Sequence, residues 1–279
     1  MSVGFIGLGN IGKPMAMRLL SLKEPVWVYD VAPGPLAELA ALGAQAAPDP
    51  KALARECRII GLCVRDEQDV ENLLFGDEGL FANARPNSVI AVHSTVSQAA
   101  ILRWAEQGRA RDVHLIDAPI TGGASGAAAG TLCYMVGGST EIVDWCRPVF
   151  GTSGNKIIHA GITGAGIALK LCNNLMTYAA FTAIHEATAL AQASGLAVEL
   201  LIEVGRANGV VTPQMEAFIS NREKIAVQGP AALRQFSASF GALGMKDLAA
   251  ALESARQLGV SLPATEKVHE LIEKVFTKG

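Results

Sequence analysis

The chain has 279 residues, is 50% hydrophobic and only 18% charged, and carries a formal net charge of −3. That composition supports a sizeable buried core, fits two ordinary domains better than one, and gives no sign of a disordered tail. It also provides no basic field for nucleic acid or an anionic membrane, so a small molecule is the expected partner.

Val3 to Ile6 is a short apolar run, followed at once by Gly7-Leu8-Gly9-Asn10-Ile11-Gly12 and then by helical spacing from Pro14 to Leu20. Strand, glycine turn and helix in this order describe a dinucleotide-binding unit. Gly7 permits the tight turn, Gly9 lets backbone approach a pyrophosphate, and Gly12 allows helix and strand to pack closely, with the helix N-terminus offering N–H groups to phosphate. The next strand, Val26 to Tyr29, ends in Asp30, where a carboxylate accepts hydrogen bonds from an adenosine ribose; a simple turn residue is the alternative. No Lys or Arg lies between Lys23 and Lys51, and Asp30 repels a 2′-phosphate, so NAD is expected over NADP.

The alternation continues with a helix over 35–42, a strand over 59–64, a helix over 67–74, a strand over 88–92, a helix near 98–107 and a strand over 113–117. Strands alternating with helices imply a parallel sheet covered on both faces, with ligands beyond the carboxyl ends of the strands. Val64, His93-Ser94-Thr95 and Asp117-Ala118-Pro119 fall at such ends and are expected to face one crevice.

From about Gly161 the strand signals stop. Long helical patterns follow over 162–194, with Gly195 as C-cap, and near 197–208, 212–219, 240–258 and 263–276. The expected fold is α/β, a Rossmann-type doubly wound domain over 1–161 followed by an all-α domain over 162–279 built on a long interdomain helix. So long and apolar a helix calls for cover from a second copy, and a homo-oligomer, dimer or tetramer, is expected. Five cysteines without metal or redox spacing, the absence of a basic leader before Val3, and the polar residues within the apolar 162–193 stretch fit a cytoplasmic protein that neither spans nor binds a membrane.

Between Ile157 and His185 the only Lys, Arg, Asp or Glu is Lys170. Desolvation of an ammonium in such a segment favours its neutral form, the condition for exchanging a proton with a substrate oxygen; the alternative is a lysine that snorkels to the surface. Asn173, Asn174 and Thr177 share its side of the helix, and Asn174 lies one turn on, about 6 Å along the axis. The asparagines serve either the substrate or a neighbouring backbone.

These residues resemble the β-hydroxyacid dehydrogenase family, which includes 3-hydroxyisobutyrate dehydrogenases. The likeness rests on Gly7-Leu8-Gly9-Asn10-Ile11-Gly12-Lys13-Pro14, Asp117-Ala118-Pro119-Ile120-Thr121-Gly122-Gly123, Gly166 to Asn174, and Lys246-Asp247-Leu248. It implies reversible hydride transfer between a nicotinamide and a small 3-hydroxy acid. Carried across by position, Lys170 is the general acid/base and Asn174 its partner, Thr121, Gly122 and Gly123 bind the substrate carboxylate, and Thr95, Lys246 and Val64 contact the cofactor beside the Gly7 to Gly12 turn. Successive glycine amides suit a carboxylate, though the cluster also reads as a flexible loop, and Lys246-Asp247 as a solvated surface pair. His93, Gln98 and Thr121 depart from the family's common residues, which leaves the substrate open. The five histidines lack metal-ligand spacing, and no metal is expected. The competing readings are an imine reductase on the same fold, which Lys170 disfavours, and an NAD-binding module without turnover. Phe236, Phe240 and Met215 are candidates for setting substrate size.

Overall fold

The computed structural model describes residues 2–277, with the side chains at 223, 226, 230, 233–237, 239 and 277 outside the description, that of Phe236 among them. The first half alternates strand and helix: β1 (Val3–Ile6), α1 (Gly12–Leu19), β2 (Val26–Tyr29), α2 (Pro33–Ala41), β3 (Gln45–Ala46), α3 (Pro50–Glu56), β4 (Ile59–Leu62), α4 (Glu67–Leu74), α5 (Leu80–Asn83), β5 (Ser88–Val92), α6 (Gln98–Arg109) and β6 (Val113–Asp117). Every residue of β1, β4 and β5 is buried. That is the mark of central parallel strands covered by helices on both faces. Their side chains divide with period two: Val3, Phe5, Ile59, Val89 and Ala91 enter one core, and Ile6, Ile60, Leu62, Ile90 and Val92 the other.

The parallel strands run in the order β3-β2-β1-β4-β5-β6, so the winding reverses between β1 and β4. Beyond β6 the sheet departs from the all-parallel expectation. β7 (Ile120–Thr121), α7 (Gly123–Ala129), β8 (Leu132–Gly137), α8 (Thr140–Phe150) and β9 (Gly154–Gly161) follow in the chain. β8 pairs antiparallel with both β6 and β7, and β9 then runs parallel to β8. The connection through the seven-residue α7 is shorter than the dozen or so residues a parallel crossover needs, so β8 returns antiparallel, whereas the longer path through α8 carries the chain back for a parallel pairing.

The remainder is helical: α9 (Ala165–Ala193), α10 (Val198–Ala207), α11 (Pro213–Ala226), α12 (Pro230–Leu258) and α13 (Pro263–Thr277). Gly195 has φ +73° and Leu196 donates to the Ala191 carbonyl, a glycine stop of the expected kind for α9. α12 starts at Pro230, ten residues before the helical pattern is legible. Tyr178, Ile184, Met215, Phe218, Leu248, Ile272 and Phe276 form the core of this half, with Phe181 stacked on Phe218 at 4.8 Å between ring centroids.

The chain divides into two compact units, Met1–Lys170 and Leu171–Gly279. The first turns of α9 therefore belong with the sheet. Among the described residues, no helix is long and apolar enough to cross a membrane.

Candidate active site

The glycine turn lies between β1 and α1, at the reversal of strand order. Gly7 has φ +95°, and a Cβ there would stand 2.2 Å from the Cys63 carbonyl oxygen; one at Gly12 would stand 1.9 Å from the Gly7 oxygen. Both must be glycine for the protein's own packing. Gly9 differs, since a Cβ there meets nothing within 4 Å. Its side of the turn is open space that a bound group can occupy.

α1 also lacks a side-chain cap and carries no acid in its first turn. α3, α4, α6 and α8 are capped by Asp49, Asp66, Ser97 and Ser139, whereas α2, α5, α7, α10 and α12 are uncapped like α1. A helix start left uncapped behind an open glycine suits a phosphate, which supplies both the missing acceptors and the negative charge. These residues fit a dinucleotide.

Asp30 stands half-buried at the end of β2. Its carboxylate accepts from the Leu8 N–H at 2.5 Å and the Ala32 N–H at 2.7 Å. It thus performs the turn role and also fastens β2 to the glycine turn, and each oxygen keeps a lone pair for a further donor. Leu8 is buried, Asn10 is exposed, and Ile11 is half-buried and packs against the first core. Val64, half-buried after β4, is held by Ser94: the Val64 N–H donates to Ser94 Oγ at 2.9 Å and Ser94 returns a bond to the Val64 carbonyl at 2.8 Å. Thr95 follows Ser94, half-buried.

His93 and Asp117 occupy strand ends, as expected, but their side chains do not face a crevice. His93 is 5% exposed, stacks on Phe5 and meets Tyr134 and Phe150 edge-on. Its Nδ1 lies 2.9 Å from the Ala118 carbonyl. Burial holds the ring at about 4, below its ordinary 6.5, a shift the Ala118 bond only partly offsets. Between those values the unfolded chain takes up a proton that the folded chain refuses. Stability is therefore complete above about pH 6.5 and falls as pH drops through 4, by about 3 kcal/mol from this ring alone. Urea unfolding from pH 7 to 4 is expected to show that slope, and His93→Phe to flatten it.

Thr121 is half-buried at the end of β7, paired in register with Cys133. The glycines after it are not a flexible loop. Gly122, at φ +123°, opens α7, and Gly123, at φ +64°, begins it; both are exposed, and a Cβ on Gly123 meets nothing within 4 Å. Their positive φ values turn the backbone where an L side chain is strained.

Lys170 is half-buried on α9, five residues after its start, rather than fully enclosed. Asn174, one turn on, is 5% exposed and donates through Nδ2 to Asp247 Oδ2 at 2.8 Å. The Tyr178 hydroxyl donates to the same oxygen at 3.1 Å, and burial together with the Asp247 charge pushes its pKa up. Lys246 Nζ stands 3.4 Å from Asp247 Oδ1. Asp247 is 3% exposed, so the Lys246-Asp247 pair is not a solvated surface feature: one buried carboxylate orients the Asn174 amide from across the helical unit. Thr177 turns inward to the Asn173 carbonyl at 3.0 Å. Of the candidates for substrate size, Met215 is buried in the helical core at 6% exposure, and Phe240, 39% exposed, stacks on Phe276.

Sequence reasoning missed Asp117, Asp247, Tyr178 and Ser94 as organising residues. Asp117 and Ser94 stand at strand ends and Tyr178 lies four residues after Asn174, but no local pattern shows which groups these side chains hold.

Residues 2–161 match the family model described as the NAD binding domain of 6-phosphogluconate dehydrogenase, and residues 164–279 that described as NAD-binding of NADP-dependent 3-hydroxyisobutyrate dehydrogenase. The chain is 34% identical over 278 residues to an NAD-dependent L-serine dehydrogenase of Pseudomonas aeruginosa, covering 99% of this chain and 93% of that protein. A 3-hydroxyisobutyrate dehydrogenase of Mycobacterium tuberculosis solved with L-serine superposes with a TM-score of 0.82 at 29% identity, covering 99% and 94% of the two chains. An imine reductase from a Pseudomonas species gives 0.66 at 16% identity over 97% and 92%, a likeness of fold alone.

Proposed function

Because the chain belongs to the β-hydroxyacid dehydrogenase family, an NAD-binding oxidoreductase family, we propose that it oxidises a small 3-hydroxy acid reversibly, with Lys170 as the general acid/base. What carries this reading is Lys170 itself, the single charged side chain in an apolar stretch of α9, followed one turn later by an amide held in place by a buried carboxylate. A bound nicotinamide supplies the hydride acceptor for the carbinol carbon. Neutral Lys170 takes the hydroxyl proton as that carbon is oxidised, and its ammonium returns a proton to the oxygen in the reductive direction. Asn174, with one amide N–H committed to Asp247, has its carbonyl oxygen and second N–H for the substrate or the Lys170 ammonium. Thr121 and the Gly122 and Gly123 amides hold the substrate carboxylate, which fixes the carbinol carbon in one orientation. Thr95, Val64 and Lys246 are assigned to the cofactor, along with Gly7, Leu8, Gly9, Asn10, Ile11 and Gly12.

Asp30 and the absence of Lys or Arg between Lys23 and Lys51 favour NAD over NADP. The test follows reduced-nicotinamide absorbance with NAD and NADP against L-serine, 3-hydroxyisobutyrate and related acids, and against cyclic imines in reverse. Turnover of a 3-hydroxy acid with a higher kcat/KM for NAD is expected. A preference for NADP removes the role given to Asp30, and reduction of imines alone removes the reaction.

Cys172, Met176, Ala179 and Ala183 form an exposed stripe on α9 at the three- and four-residue spacing of one helix face, and exposed Leu190 follows two turns later, beyond Glu186. That stripe supports a homo-oligomer. Light scattering at micromolar concentration is expected to give a dimeric or larger mass, and Met176→Glu a smaller one; a monomeric wild-type mass overturns this part.

A further inference from the structure

Asp117 ends β6, immediately before the segment that runs through Pro119 to Thr121, and it is fully buried. Its Oδ1 accepts the Gly164 N–H at 2.7 Å and its Oδ2 the Ile167 N–H at 2.7 Å. Ile167 lies in the first turn of α9, three residues before Lys170. The surroundings leave the carboxylate no second position. A Cβ on Gly137 would stand 2.4 Å from its Oδ1, and one on Gly166 would stand 2.3 Å from the Met135 carbonyl and 3.0 Å from that of Asp117. The Thr121 segment is fastened to the same place, since the Met135 N–H donates to the Pro119 carbonyl at 2.9 Å. One carboxylate therefore joins the start of the substrate segment to the start of the helix that carries the lysine.

We propose that Asp117 is a positioning residue: it sets the height and rotation of the first turn of α9 against the β6 end, and so the place of Lys170 relative to Thr121. This rests on the reading of Lys170 as the acid/base. A helix start is otherwise capped by water or by a nearby Ser or Asp, any of which satisfies the N–H groups while leaving the helix free to shift. Two charge-assisted bonds from a rigid strand end satisfy them at a fixed position.

The test compares Asp117→Asn and Gly137→Ala with Lys170→Ala, using the acid that gives the highest turnover in the panel above. Asp117→Asn keeps the shape but offers a donor to an N–H that needs an acceptor. Gly137→Ala keeps the charge but claims the carboxylate's space. In both, kcat is expected to fall about 10- to 100-fold, the effect of a misplacement of roughly 1 Å at the reacting groups. NADH binding, read by fluorescence, is expected to stay at the wild-type value, and the isotope effect from deuterium on the carbinol carbon to rise as hydride transfer becomes limiting. A merely structural cap would lower melting temperature and the fraction of competent sites, with kcat per NADH-binding site and the isotope effect unchanged, and that result overturns the proposal. If Asp117→Asn does not fold, Gly137→Ala decides. Retained turnover in Lys170→Ala removes the acid/base reading and this inference with it. Loss there with wild-type kcat in the other two removes this inference alone.

Discussion

Lys170→Ala is expected to lower kcat by roughly two to four orders of magnitude, the usual worth of a positioned proton donor and acceptor. NAD affinity is expected to stay near the wild-type value, because the glycine turn that suits the dinucleotide lies between β1 and α1, far from Lys170 in sequence. Lys170→Arg is the sharper companion. It keeps the positive charge and the hydrogen-bonding capacity, so it separates holding the substrate oxygen from moving its proton. A guanidinium does not deprotonate in this pH range and cannot accept the hydroxyl proton, so oxidation is expected to fail in this variant too. Single-turnover kinetics with pre-bound NAD make the distinction: wild-type rates of NADH formation in either variant would remove Lys170 from the reaction.

Gly9→Ala and Gly12→Ala are expected to fail in different ways. At Gly12 the new Cβ would lie 1.9 Å from the Gly7 carbonyl oxygen, which is backbone and cannot swing aside. The helix must move off the strand, at a cost of about 1 to 3 kcal/mol or more in folding stability. At Gly9 the apoprotein has room for the methyl, so its urea midpoint is expected to change little. The methyl instead occupies the space through which backbone N–H groups reach a pyrophosphate. Losing one charge-assisted bond of about 1.5 to 3 kcal/mol weakens NAD binding roughly 10- to 100-fold. Calorimetric titration of NAD and urea unfolding measure both quantities on the same preparations. Unchanged NAD affinity in Gly9→Ala would mean that the pyrophosphate does not cross that face of the turn.

The strands legible in the sequence are those with a single physical demand. β1, β2, β5 and β6 match the expected bounds because each is a short apolar or β-branched run, and a covered parallel strand accepts such residues at every position. The segment after Asp117 was harder to read. β8 (Leu132–Gly137) is equally apolar, but its direction depends on the length of the α7 connection that precedes it and on its neighbours β6 and β7. The early start of α12 was hidden for a similar reason, since residues 230–239 carry no long apolar period of their own.

Within the candidate site, the glycine turn, Asp30 and Lys170 could be read from the chain because each is locally anomalous. Three glycines surround one turn, an acid ends a strand, and a lone cation interrupts an apolar helix. Their supporting partners could not be read in this way. Asp247 reaches Asn174 across 73 residues, Asp117 meets Gly164 and Ile167 across 47 and 50, and the ring of His93 turns away from the strand end into the core. In sequence an acidic residue on a helix looks like any solvated acid, and only burial changes its meaning, by making an unpaired carboxylate expensive and a paired one directional. The chemistry offered by each side chain was thus set by the sequence alone. Which side chains are held still enough to use it was decided by the tertiary structure, because rigidity comes from neighbours that the folded chain brings together from distant positions.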